Sequence, residues 1–269
     1  MVAEAKERLA AGDATDVSAR AQLAYMARGL AAWDVMAGTV TSPETDQALR
    51  YRLNEMQAKD GSIEARYRFP PINSDTWHAT VAAAMAIGAA PGWHESLKDT
   101  AMIAAVARLL NYLQVTSPKH DHQRLQLLWA ATFWPDLLDR RRREQIINRI
   151  WELQRADGGW SIRTFAEPEQ LGSLAKARAL RAEPDFGNPA SDGYQTALAI
   201  VVLRDAGVPA DDPRLQRAVK WLKANQRESG RWWTKSLNTK SRFHYISYSG
   251  TAYAALALAK CGELERVRD

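Results

Sequence analysis

The sequence predicts an all-α chain, an α/α toroid in which amphipathic helices form an outer layer and Ala-rich helices an inner one. Three observations carry this expectation. A short motif recurs at helix ends, two kinds of helical pattern alternate along the chain, and the links between them are short enough to make neighbours antiparallel.

The motif is Gln-x-x-x-Gly-x-Trp, present as Gln154 to Trp160 and Gln226 to Trp232, and earlier in the chain as a degraded copy at Gln57 to Ile63 that has Ile in place of Trp. Each copy closes an amphipathic pattern: Leu49, Leu53 and Met56; Ile146, Ile147, Ile150 and Leu153; Leu215, Val219 and Leu222. In each, the apolar residues fall on one helical face, and the Gly ends the helix in a left-handed conformation at low cost. A further outer helix is expected over Ala101 to Gln114, where the apolar face is present but the Gly and Trp are not.

The inner class is Ala-rich and opens with a short polar residue. Ser74-Asp75-Thr76, His120-Asp121-His122, Ser191-Asp192-Gly193 and Ser249-Gly250-Thr251 align as equivalent openings. Bodies such as Ala79 to Ile87 and Ala252 to Ala259 are apolar on every face, as helices surrounded by other helices are. Ser18 to Trp33 fits the same class. The count is five inner and four outer helices, with Ala3 to Ala11 a candidate fifth outer one. The stretch of about 161–190, holding Pro168, Pro184, Gly187 and Pro189, is too long for a turn and predicts an insertion with one short helix near Gln170 to Arg181.

At 269 residues and 46% apolar composition, the chain can bury a large core as one repeat domain over 1–269. One cysteine excludes a disulfide framework. The longest small-apolar run, Ala79 to Pro91, falls well short of the roughly 20 residues of a bilayer span. Met1 to Ala11 lacks the apolar block of a secretory leader. The expectation is a cytoplasmic protein, or an exported one whose leader has been removed. With 36 basic against 31 acidic residues the charge is +5, and the run Arg140 to Arg143 has no interleaved aromatics. It reads as a solvated helix face rather than a nucleic-acid or phospholipid patch, and no feature calls for peripheral membrane contact.

The Gln-x-x-x-Gly-x-Trp copies, with Arg217-Ala218 and Trp221-Leu222 before the last, resemble the repeat of squalene-hopene cyclases and related prenyltransferase-repeat proteins. The resemblance implies a terpenoid cyclase-like α/α toroid. It also implies a bracing role for Gln and Trp, so Trp160 and Trp232 are expected to be structural. Cyclases of this kind that begin by protonating an alkene carry Asp-x-Asp-Asp-Thr at an inner-helix start. Here the closest match is Ile72-Asn73-Ser74-Asp75-Thr76, with Ser74 in the place of the proton donor. A hydroxyl cannot protonate an alkene, so that chemistry would need another acid kept neutral by burial, such as Asp192. The related protein prenyltransferases hold zinc with Asp, Cys and His. The lone thiol, Cys261, ends the last inner helix, so zinc is not expected.

Asp75, Asp121 and Asp192 stand at three inner-helix openings, where they can shift one another's pKa or simply cap the helices. Three residues beyond the openings lie His78, Arg124, Gln195 and Tyr253, with Trp77 and Tyr194 beside two of them. Facing a common axis, these form a polar and aromatic ring able to hold a cation over indole and phenol faces, or to stack a sugar. Buried packing between Ala-rich helices is the alternative. The catalytic candidates are therefore Asp75, Asp192 and His78; the ligand-binding candidates are Trp77, Asp121, Arg124, Tyr194, Gln195 and Tyr253. His120 and His122 flank Asp121 but diverge by about 200° at helical spacing, and no metal or nucleotide motif is present. No metal or cofactor is expected.

Three functional readings follow. A cyclase-like toroid would bind an apolar isoprenoid ligand in a central cavity. A glycan-directed binder or lyase would use His78 or Tyr253 as base and Arg124 to neutralise a uronate. A repeat module without catalysis would serve protein contacts, with a partner or a further segment completing the ring.

Overall fold

The computed structural model describes residues 17–64, 75–171, 173–235, 237 and 245–264, by backbone alone at 17–25 and 245. Within these the protein is all-α. Its helices are α1 (Val17–Met36), α2 (Pro43–Glu55), α3 (Thr76–Ala89), α4 (Thr100–Val115), α5 (Asp121–Ala130), α6 (Arg140–Glu152), α7 (Leu174–Arg181), α8 (Gly193–Asp205), α9 (Pro213–Ala224) and α10 (Tyr245–Lys260). None is long and apolar enough to cross a membrane. The candidate outer helix over Ala3 to Ala11 and the cyclase-motif residue Ser74 lie outside the described residues. The chain divides into two compact units, one of Met1–Ser117 and Ala130–Leu138, the other of Pro118–Trp129 and Asp139–Asp269.

In the first unit the inner helices α1 and α3 pack together, and α2 and α4 pack on them. Apart from the half-buried His78, every α3 residue from Trp77 to Ile87 is buried, because small Ala side chains let neighbouring helices approach on all sides. The outer α4 shows one buried face, Met102, Ala105, Val106, Leu109 and Leu113, and is capped by Asp99. At the α1–α2 corner the buried Asp34 carboxylate accepts from Ser42 N (3.0 Å) and Thr45 Oγ1 (2.6 Å), and Ser42 in turn caps α2. Trp134 lies across α3, its indole donating to Ala84 O at 2.7 Å. Gly88 makes room for it, since a Cβ there would sit 2.9 Å from its Nε1 and 2.6 Å from the Cβ of Phe133.

In the second unit α8 is buried from Gly193 to Leu203 and packs between α9 and α10. The outer α9 starts with the capping Asp212 and Pro213, and buries Leu215, Ala218, Val219 and Leu222. The expected insertion holds 3-10 turns at Ile162–Thr164 and Pro168–Leu171, followed by α7. Arg163, almost wholly buried, pairs with Glu183 (2.6 Å) and Asp185 (2.8 Å), while Lys235 also reaches Glu183 (2.8 Å). Two cations thus meet two anions and fasten the insertion to the loop after Trp232.

The repeated motif works through hydrogen bonds. In the second copy Gln154 Nε2 donates to Gly158 O in its own loop (2.9 Å) and to Arg214 O on α9 (2.8 Å), and Arg217 returns a bond to Gln154 Oε1 (3.0 Å). The first copy repeats this with Gly61 O (3.2 Å), Ala105 O on α4 (2.8 Å) and Arg108 (3.0 Å). The indole N–H of Trp160 donates to Ile150 O and that of Trp232 to Leu222 O, both at 2.8 Å, so each tryptophan locks its loop onto the end of its own outer helix. Each motif then reaches an inner helix through threonine: the N–H of Ile63, Trp160 and Trp232 donates to Oγ1 of Thr80, Thr196 and Thr251.

Those threonines correct the alignment of the openings. Four residues before them stand Thr76, Asp192 and Ser247, so the last inner helix begins a turn earlier than Ser249-Gly250-Thr251 suggests, at Tyr245. Gly250 lies inside that helix, where a Cβ would approach Tyr194 N at 3.2 Å. Its role is close packing of α10 on α8 rather than a helix start.

Candidate functional site

The candidate residues fall in two groups, one per unit. In the first, Asp75 caps α3, its Oδ1 accepting from His78 N at 2.7 Å. Trp77 is buried, its ring 6.4 Å from that of Tyr112 and tilted to it, and its indole N–H finds no acceptor among the described residues. His78 is pushed down to about 4, chiefly by burial, with Arg28 and Arg52 adding to the effect and Asp75 opposing it. At neutral pH it is an uncharged imidazole.

In the second group Asp192 caps α8 and is buried at 6% exposure. Its Oδ1 accepts from Gln195 N (2.8 Å) and Thr234 Oγ1 (3.2 Å), and its Oδ2 from Ile162 N (2.7 Å). Burial raises this carboxyl to about 6, while those donors restrain the rise. With N–H and O–H donors on both oxygens, the group is an acceptor that joins the loop after Trp160, the loop after Trp232 and the start of α8. In the next repeat Ser247 takes the same place, its Oγ accepting from Thr234 N at 3.2 Å.

Behind Asp192 runs a file of rings drawn from α5, α8 and α10. His122 and Tyr194 have centroids 6.3 Å apart, Tyr194 and Tyr253 meet edge-on at 5.6 Å, and Tyr253 and Trp129 do so at 5.9 Å. Trp129 is anchored by donation to Asp205 (2.9 Å). Gln195 is fully buried, with Oε1 3.3 Å from His122 Nδ1, and Gln126 Nε2 stands 3.2 Å from His122 Nε2. With the ring proton on Nδ1 both contacts are satisfied, and among the described residues Gln195 Nε2 has no acceptor. The rings of His120 and His122 lie 6.4 Å apart, nearly parallel. Among the described residues no three His, Cys, Asp or Glu side chains are grouped to hold a metal ion.

Asp121 and Arg124 stand at the start of α5 and are paired at 2.8 Å, and the other carboxylate oxygen of Asp121 takes Arg149 at 3.0 Å. Asp121 thus ties α5 to α6, and Arg124 is engaged with it. The structure therefore brings Asp192, Tyr194, Gln195 and Tyr253 together in one unit, and Asp75, Trp77 and His78 in the other. Reading the sequence missed Thr234, Ser247, Gln126 and Trp129. Thr234 had a signal, since it stands two residues after Trp232 as Ile162 does after Trp160. Gln126 and Trp129 had none, because their partners are remote in the chain.

Residues 190–266, covering α8, α9 and α10, match the family model of the squalene-hopene cyclase C-terminal domain. The chain shows no significant match to any curated protein. Its C-terminal part is squalene-hopene cyclase-like, in keeping with an all-α protein of the terpenoid cyclase-like superfamily and its prenyltransferase-type repeats.

Proposed function

We propose that this terpenoid cyclase-like protein binds an apolar, isoprenoid-type ligand against the ring file of its second unit, and that it does so without proton-initiated cyclisation. The observation that carries the reading is the bonding of Asp192. Its carboxylate is filled by three donors, two backbone N–H groups and the Thr234 hydroxyl, so this buried acid beside the aromatic rings is committed to the protein's own groups rather than to a ligand alkene. Tyr253, half-buried between the buried rings of Tyr194 and Trp129, offers an aromatic face of the kind that such ligands contact. The glycan reading draws less support, since Arg124 is engaged by Asp121.

Titration of the protein with squalene and with a polyprenyl alcohol in mild detergent tests this, read by tryptophan quenching and thermal shift, with product extraction after long incubation. Saturable binding, weakened several-fold in Tyr194→Ala and Tyr253→Ala, with no cyclised product, is expected. Absence of binding would overturn the proposal. So would cyclic products that vanish in Asp192→Asn.

A further inference from the structure

The three motif copies are not equally engaged. Gln57 and Gln154 each grip the next outer helix in the same way: the amide donates to a helix carbonyl, Ala105 O or Arg214 O, and receives an Arg three residues further on, Arg108 or Arg217. Gly61 and Gly158 press on the backbone of that same helix, so that a Cβ would strike the carbonyl of Arg108 or Arg217. In the copy at Gln226, Nε2 bonds Gly230 O of its own loop at 3.0 Å and no other group among the described residues, and a Cβ on Gly230 would there meet just the Gln226 amide at 4.0 Å. No helix among the described residues fills this third brace.

The inner helix beside it is open as well. Where α8 is buried on every face from Gly193 to Leu203, α10 exposes Tyr248, Ala252, Ala255, Leu256 and Ala259, which lie along one helical stripe. Tyr248 is 59% exposed and Leu256 39%. An inner-type helix with an exposed apolar stripe, next to a motif that grips no helix among the described residues, makes a surface built like the two that are filled.

We propose that the edge formed by the Gln226 loop and α10 is a docking surface for an amphipathic α-helix carried by a separate polypeptide. The filled copies define its chemistry: a main-chain carbonyl that accepts from Gln226 Nε2, an arginine three residues later that donates to Gln226 Oε1, and an apolar face that covers the α10 stripe. The α9 sequence has these features in the chain itself, with Arg214 O, Arg217 and the face of Leu215, Ala218 and Val219.

The test titrates the full chain with a labelled peptide of residues 210–225, stapled between positions 216 and 220 on its solvent face so that it is helical beforehand, and reads fluorescence anisotropy. Saturable binding is expected, at least tenfold weaker with Gln226→Ala or Leu256→Glu in the protein or Arg217→Ala in the peptide, and unchanged with Gln154→Ala in the protein. Circular dichroism confirms that each variant is folded. No binding at millimolar peptide, or binding indifferent to the edge variants, overturns the proposal. Light scattering that shows a dimer split by Leu256→Glu would overturn it too, by giving the edge to a second copy of this chain.

Discussion

The Gln154 loop and the Gln226 loop share a sequence pattern and differ in what surrounds them. Both fold back through the same Gln-to-Gly bond and the same indole bond to the end of the preceding helix. Among the described residues, the first alone also holds a neighbouring helix. The motif therefore has two separable tasks, closing its own loop and gripping the next outer helix, and the second depends on a partner that the motif does not encode. The inner-helix openings differ in a parallel way. Asp75 gives its cap bond to a half-exposed opening, while Asp192 is buried and gathers donors from three segments.

The sharpest way to break the loop comparison is to add one methyl group to each. Gly158 and Gly230 both have a positive φ, 91° and 75°, so alanine at either is strained by about 1–2 kcal/mol. At Gly158 the new Cβ would also lie 2.8 Å from Arg217 O, which raises the expected cost of Gly158→Ala to roughly 3–4 kcal/mol. Urea denaturation of the two variants measures the difference, and equal costs would mean that the grip on α9 contributes nothing.

Next in size is the contrast of the caps. Asp192→Ala leaves two backbone N–H groups and a hydroxyl buried without their acceptor, which should cost about 2–4 kcal/mol. At the less deeply buried Asp75, loss of the cap bond from His78 N is worth about 1 kcal/mol. The same denaturation series reads both, and an Asp192→Ala loss no larger than that of Asp75→Ala would deny Asp192 its joining role.

The smallest effect is a pH response of opposite sign in the two units. Asp192 in the folded protein titrates near 6, above an unfolded carboxylate, so the folded state binds the extra proton. Its contribution to stability is lost as pH rises from about 4 to 6 and is regained on acidification, by about 2 kcal/mol between pH 6.5 and 4.5. His78 titrates near 4, below an unfolded imidazole. Its neutral form favours folding above pH 6.5, and that advantage is lost as pH falls toward 4. Hydrogen exchange at pH 6.5 and 4.5, corrected for intrinsic rates, should show the start of α8 better protected in acid and the start of α3 less so. A common direction would refute the environment assigned to one of the two residues.

Much of the fold was legible because helix periodicity, capping and glycine punctuation are local. The Ala-rich segments from Ala79 and Ala252, the outer helix near Ala101, the Asp75 and Asp192 caps and the structural role of Trp160 all follow from residues within a turn or two of each other. The fourth opening was misread because Gly250 resembles a helix start; its small size answers instead to Tyr194, on another helix. The contacts that make the second unit's site were not legible, since Gln195 meets His122 and Asp192 meets Thr234 across long stretches of chain.

What the sequence alone determined is the alternation of helix types and the pull of each motif on its own loop, because those forces act between near neighbours. Only the tertiary structure decided which carboxylate is buried, which rings meet, and which of three similar motifs has a helix to hold. Burial and pairing depend on the segments that fold against a residue, and the residue's own neighbours in sequence do not specify them.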